Sequence, residues 1–166
     1  MSSDEARRRS LRLYRMRRRW LQLSRRHRLT LYTTSLVLLI SGTAWAWIHR
    51  LDDAGQTGPR LHELKPWLIK THGYAAVGFV LLLGTLLPGH IRRAWHAHKN
   101  RINGAFFLTA VSLLTLSGYT LYYLGGELWR EATRQFHLWL GLAMPVFLVW
   151  HIRTGRKATG DVHRKP

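Results

Sequence analysis

The 166-residue chain has no cysteine, which excludes disulfides, thiolate metal ligands and iron–sulfur clusters. Acidic side chains are scarce, eight against twenty-six Lys and Arg, and none lies inside a long apolar run. A proton-coupled transporter generally places a carboxylate within the membrane, so transport of that kind is disfavoured. The sequence also lacks a Gly-rich phosphate loop and an HExxH zinc motif. Ser112 and Ser117 have no convincing base and no nucleophile elbow, which speaks against a membrane serine protease.

What remains alternates between basic and apolar. A formal net charge of +18 and a mean hydropathy of −0.16 would suggest a soluble nucleic-acid binder if the residues were mixed. They are segregated instead. Four nearly charge-free windows, roughly Leu29 to Ile48, Trp67 to His90, Gly104 to Leu124 and Thr133 to His151, are each long enough to cross a hydrocarbon layer of about 30 Å. With short connections, they predict an all-α integral membrane four-helix bundle of up-down-up-down topology over residues 29–155. A basic arm (1–28) precedes it and a basic tail (156–166) follows.

The arm carries eleven arginines and two acids. It does not read as a secretory signal, because the apolar run behind it has full membrane length and no small-residue cleavage pattern before Arg50. Leucines and aromatics among the arginines suit a helix lying on anionic headgroups, the alternative being a disordered basic anchor. With no recognition module around it, nucleic acid is not an expected partner. Lys and Arg number twenty in the arm, the loop 91–103 and the tail after Ile152, against six in the loops 49–70 and 125–136. Both termini should therefore face the cytoplasm. Trp45, Trp47, Trp67, Tyr122, Tyr123 and Trp129 would form an outer aromatic belt, with Trp20, Trp95 and Trp150 at the inner boundary.

Histidine is the unusual presence. His137 and His151 are fourteen residues apart in the fourth span, which on an α-helix is about 21 Å of rise and about 40° short of whole turns. His72 and His90 are eighteen apart in the second, close to five whole turns and about 27 Å. Each pair looks inward from one face at two depths. Imidazole inside a membrane helix marks a cofactor, a proton path or a partner. The spans also repeat: Ser41-Gly42 matches Ser117-Gly118, and His72, Pro88 and His90 match His137, Pro145 and His151. Two such parallel hairpins imply a pseudo-two-fold axis along the membrane normal, on which the second span faces the fourth. His72 then meets His137 near the outer surface and His90 meets His151 near the inner one.

A b-type haem suits such pairs, because it takes two neutral imidazoles, one on each side of the ring, within a dry apolar slot. Close backbone approach would come from Gly42, Gly78, Gly118 and Gly141, which lie within the spans near the outer pair. Cations for the propionates are at hand in Lys70 and Arg134 outside and in Arg92, Arg93 and Arg153 inside, unless these only snorkel.

The pattern of SG in the first and third spans, HGYAAVG with PGHIRR in the second, and HLWLG with WHIRTGR in the fourth resembles the small bacterial four-helix di-haem b-type membrane cytochromes. The likeness covers about residues 29 to 155. It implies a bacterial inner-membrane protein holding two haems stacked across the bilayer, with His72 and His137 as the outer ligands and His90 and His151 as the inner ones. It further implies electron transfer across the membrane between a quinone or a cytoplasmic redox donor and a partner on the other face, as an oxidoreductase component if an enzyme at all.

One departure concerns the inner pair. The ligand spacings of the two helices differ by about 6 Å of rise, and Leu86 stands where a histidine fourteen residues after His72 would resolve it. A kink or unwound turn at Pro88-Gly89 would reduce the difference. His27, His49, His62, His96, His98 and His163 lie at boundaries, in loops or in the tail and are not expected as ligands. The alternative of another class is a haem-free membrane anchor or assembly protein, whose histidines bond between helices and whose arm docks anionic lipid or an acidic partner.

Overall fold

The computed structural model describes residue 5, residues 24–96 and residues 100–160. The headgroup helix expected of the arm, Trp20, His98 and His163 lie outside the described residues, as does the side chain of Arg93. Four long helices follow one another: α1 (Arg25–Asp53), α2 (Pro59–Leu86), α3 (Arg101–Tyr123) and α4 (Glu127–Gly160). Each contains a stretch long and apolar enough to cross a membrane. The protein is therefore an all-α four-helix bundle running alternately up and down, built as a multi-pass membrane protein.

Local chemistry sets the helix ends. Ser24 caps α1, its hydroxyl accepting the His27 amide at 3.2 Å. Beyond Asp53 the chain turns through Gly55 at φ +68°, a left-handed conformation that only glycine enters freely. Pro59 opens α2, where its missing N–H costs nothing. Gly126, at φ +84°, makes the second tight turn before α4. The helices overrun the windows drawn from hydropathy, because polar and basic residues extend a helix as readily as apolar ones. Thus α4 continues to Gly160, with Lys157 favourably placed in its last turn, and the boundary expected at residue 156 falls within a helix.

Helix α2 does not end cleanly. Its last turn widens into a π turn at Leu87–Ile91, followed by a short helical segment, Arg92–His96. Pro88 has no amide hydrogen to give the ladder, and a π turn absorbs one additional residue without breaking the helix. The disruption expected at Pro88-Gly89 takes this form, and it carries His90.

α1 lies along α2 and α3 along α4, while the two hairpins meet chiefly through α1 and α4. The bundle wears its apolar side chains outward: Leu36, Ile40, Leu81, Leu116 and Val146 are all more than half exposed to the surroundings. A perimeter of this kind suits lipid rather than water. Among the described residues the buried side chains are few and small or medium: Ile48, Leu86, Ala110 and Val111, together with the polar Ser41, Asn103 and Ser117. A buried polar group needs a partner. Each of these three finds a histidine.

Candidate functional site

Near the middle of the bundle, on the side toward the two tight turns, His72 on α2 faces α1. Its Nδ1 is 3.1 Å from Ser41 Oγ and 3.1 Å from the Leu38 carbonyl oxygen. A carbonyl only accepts, so Nδ1 carries the hydrogen and Nε2 keeps the lone pair. The second hairpin repeats the arrangement. Ser117 Oγ lies 2.9 Å from His137 Nδ1 and donates its own hydrogen to the Leu114 carbonyl at 3.1 Å. Ser117 therefore accepts from His137, whose Nε2 is again the free nitrogen.

The glycine after each serine makes room for the ring. A Cβ built on Gly42 would stand 2.9 Å from His72 Cε1, and one on Gly118 would stand 3.1 Å from His137 Cε1. Leu38-x-x-Ser41-Gly42 and Leu114-x-x-Ser117-Gly118 are thus one device used twice: carbonyl, hydroxyl and open backbone. Gly78 and Gly141 differ. A Cβ on Gly78 meets nothing within 4 Å, and one on Gly141 makes an ordinary 3.8 Å contact with Leu114.

The two rings meet across the bundle with centroids 6.2 Å apart and planes at 72°. Two imidazoles on opposite sides of one metal ion would have centroids about 6.3 Å apart, given metal–nitrogen bonds of about 2.0–2.1 Å and roughly 1.1 Å from nitrogen to ring centre. Among the described residues no group of three or more His, Cys, Asp or Glu is arranged to hold a metal ion. A bare structural zinc needs four ligands, whereas an iron already held by four porphyrin nitrogens needs only two. The donors present fit a haem better than a bare ion.

At the opposite end the arrangement is lopsided. His151 Nδ1 lies 2.7 Å from Asn103 Oδ1 on α3, and its ring stacks on Phe107 at 5.2 Å. His90 lies in the π turn. Its Nδ1 is buried with no hydrogen-bond partner among the described residues.

Lys70 sits 5.1 Å over the Trp67 ring, and Arg92 and Arg153 are exposed. Arg134 is committed to the Glu131 carboxylate and to His49 Nε2. His49 Nδ1 faces Lys65 Nζ at 3.4 Å, and Lys65 is paired with Asp52. His49, stacked on Trp45 at 4.8 Å, is therefore the hub of a polar cluster in which Arg134 ties α4 to α1 through His49 Nε2 and Lys65 ties α2 to α1 through Asp52. Trp45, expected in the outer aromatic belt, is half-buried, while Trp47, Trp67 and Trp129 are exposed. His27 bonds with Ser24 and lies 3.4 Å from Thr85, His62 lies 3.4 Å from Asp52, and His96 is exposed.

Sequence reasoning identified the two Ser-Gly pairs as repeat markers but not as partners of the histidines, and it missed Asn103 and His49. An Asn-Gly dipeptide at 103–104 was the available signal for the first. No family model, no characterised protein and no solved structure matches the chain.

Proposed function

We propose that the protein is a b-type cytochrome that carries electrons across a bacterial inner membrane, with both termini in the cytoplasm. The observation that supports this reading above all is the pair His72 and His137. Two neutral imidazoles, each fixed by its own Ser-Gly device, stand at the separation that two ligands of one metal require. His72 and His137 would hold one haem b, and His90 with His151 a second. When bound, haem supplies a reversible one-electron couple whose potential the surroundings tune.

The chain's own residues do the rest. Ser41 and Ser117 hold the ring hydrogens on Nδ1 and so keep both Nε2 lone pairs available. Gly42 and Gly118 let the rings sit close against α1 and α3. The apolar perimeter holds the bundle in lipid and keeps water from the interior. Electrons would enter from a quinone or a redox protein at one face and leave to a partner of either kind at the other. The excess of Lys and Arg in the arm, the 91–103 loop and the tail supports the orientation.

The test is performed in sealed liposomes containing trapped ferricyanide, with a membrane-impermeant reductant added outside. Protein-dependent reduction of the trapped ferricyanide, abolished by His72→Ala or His137→Ala, is expected. Rates equal to those of empty liposomes, from haem-replete protein, would overturn the proposal.

A further inference from the structure

Asn103 is the third buried polar side chain, 6% exposed. It precedes Ser117 by fourteen residues on α3, the interval by which His151 follows His137 on α4. The two helices are antiparallel neighbours, so equal steps in opposite senses reach the same depth. Asn103 thus stands to His151 as Ser117 stands to His137. A glycine follows in both cases, Gly104 after Asn103 and Gly118 after Ser117. The corresponding steps in the first hairpin lead from Ser41 to His27 and from His72 to Leu86. No acceptor-glycine pair exists there.

We propose that Asn103 is the positioning residue of the second histidine site, a third copy of the device that holds His72 and His137. The site is one-sided as a result: His151 has a built-in acceptor and His90 has none among the described residues. Oδ1 of Asn103, 2.7 Å from His151 Nδ1, takes the ring hydrogen and leaves Nε2 with its lone pair. Phe107 stacks on the same ring with planes 24° apart and restrains its rotation. A Cβ on Gly104 would stand 3.9 Å from His151 Cε1, so this copy fits more loosely than the other two. Packing alone does not account for the amide. Its Nδ2 is buried without a partner among the described residues, an expense that a leucine there would avoid. Among the described residues, His151 is the partner that accounts for the Asn.

The inference deepens the haem reading, and its test separates the two. In the full-length, haem-free protein in lipid bilayers, nitrogen NMR of labelled histidine reads the tautomer, with His151→Gln assigning the signal. His151 is expected to be protonated on Nδ1, and Asn103→Leu is expected to abolish that preference. Asn103→Ser, which carries the side chain of the other two copies, should keep it and serves if the leucine variant fails to fold. A wild-type His151 protonated on Nε2, or one whose signal neither variant moves, would overturn the assignment.

With haem bound, an acceptor on Nδ1–H makes Nε2 a stronger donor and favours the oxidised iron. Asn103→Leu should therefore raise the potential of one haem component and Asn103→Asp should lower it, while the other component stays in place. Haem retention at that site should weaken about 10–100-fold in the leucine variant. Shifts of the same sign in both variants, or no shift, would contradict a positioning role. A colourless protein would defeat the haem reading and leave the tautomer measurement to decide the role of Asn103 alone.

Discussion

The Ser-Gly devices set a sign that ordinary helix propensity would reverse. Replacing a helical glycine by alanine normally stabilises by about 0.5–1 kcal/mol. At Gly42 the added methyl would meet the His72 ring at 2.9 Å, and because Ser41 and the Leu38 carbonyl hold that ring, the overpacking is unfavourable by about 1–3 kcal/mol. Gly42→Ala should lower the thermal midpoint in detergent, whereas Gly78→Ala, whose Cβ meets nothing within 4 Å, should raise it or leave it unchanged. Ser117→Ala removes the acceptor of His137 Nδ1 and should destabilise by about 1 kcal/mol, with about 10–100-fold weaker haem retention by titration of the haem-free protein. Equal haem affinity in this variant would deny the serine its part. At this scale the sequence was legible where chemistry is rare. Four histidines in apolar helices stand out, and two identical dipeptides expose a repeat. The partners were not legible, because the atoms that meet are far apart in the chain: Asn103 is forty-eight residues from His151 and His49 is eighty-five from Arg134. No local pattern encodes such pairings.

Elements were read from apolar length, which finds a membrane helix but not its ends. The windows begin and stop where charge appears, while α1 and α4 run on through charged residues to Asp53 and Gly160, since lipid ends at the interface and hydrogen bonding does not. The π turn was legible only as a conflict, an eighteen-residue spacing facing one of fourteen, with Pro88-Gly89 as the place to resolve it. Absorbing a residue in a wide turn shortens the climb from His72 to His90. Restoring an amide at that point should let the α-helical ladder continue. Pro88→Ala is expected to displace His90 and lower haem content from about two per chain to about one, with the surviving haem still lost on changing His72. Unchanged stoichiometry in the variant would show that the π turn does not place a ligand.

The whole molecule is two hairpins, each closely packed within itself and joined to the other less extensively, through α1 and α4 and the His49 hub. Helix pairs in a bilayer gain little from the hydrophobic effect and depend on packing and polar contacts to associate. A cofactor ligated from α2 and α4 would supply the missing cohesion. Cut between residues 96 and 100 and co-expressed, the halves should copurify from haem-replete cells and separate when His72 and His137 are both replaced. Copurification that ignores both histidines would assign the cohesion to protein contacts alone. The all-α architecture and the pairing of spans into hairpins were readable from hydropathy and repeat. The looseness between hairpins was not, because it depends on which small side chains meet in space.

The most direct measurement is the reduced-minus-oxidised visible spectrum of the detergent-purified protein expressed with ample haem, quantified as pyridine haemochrome per chain. A sharp low-spin b-type band with about two haems per chain, falling when His72 or His137 is replaced, is the result expected of bis-histidine ligation. A folded protein without colour would contradict it, and the four histidines would then be bonds between helices in a membrane anchor.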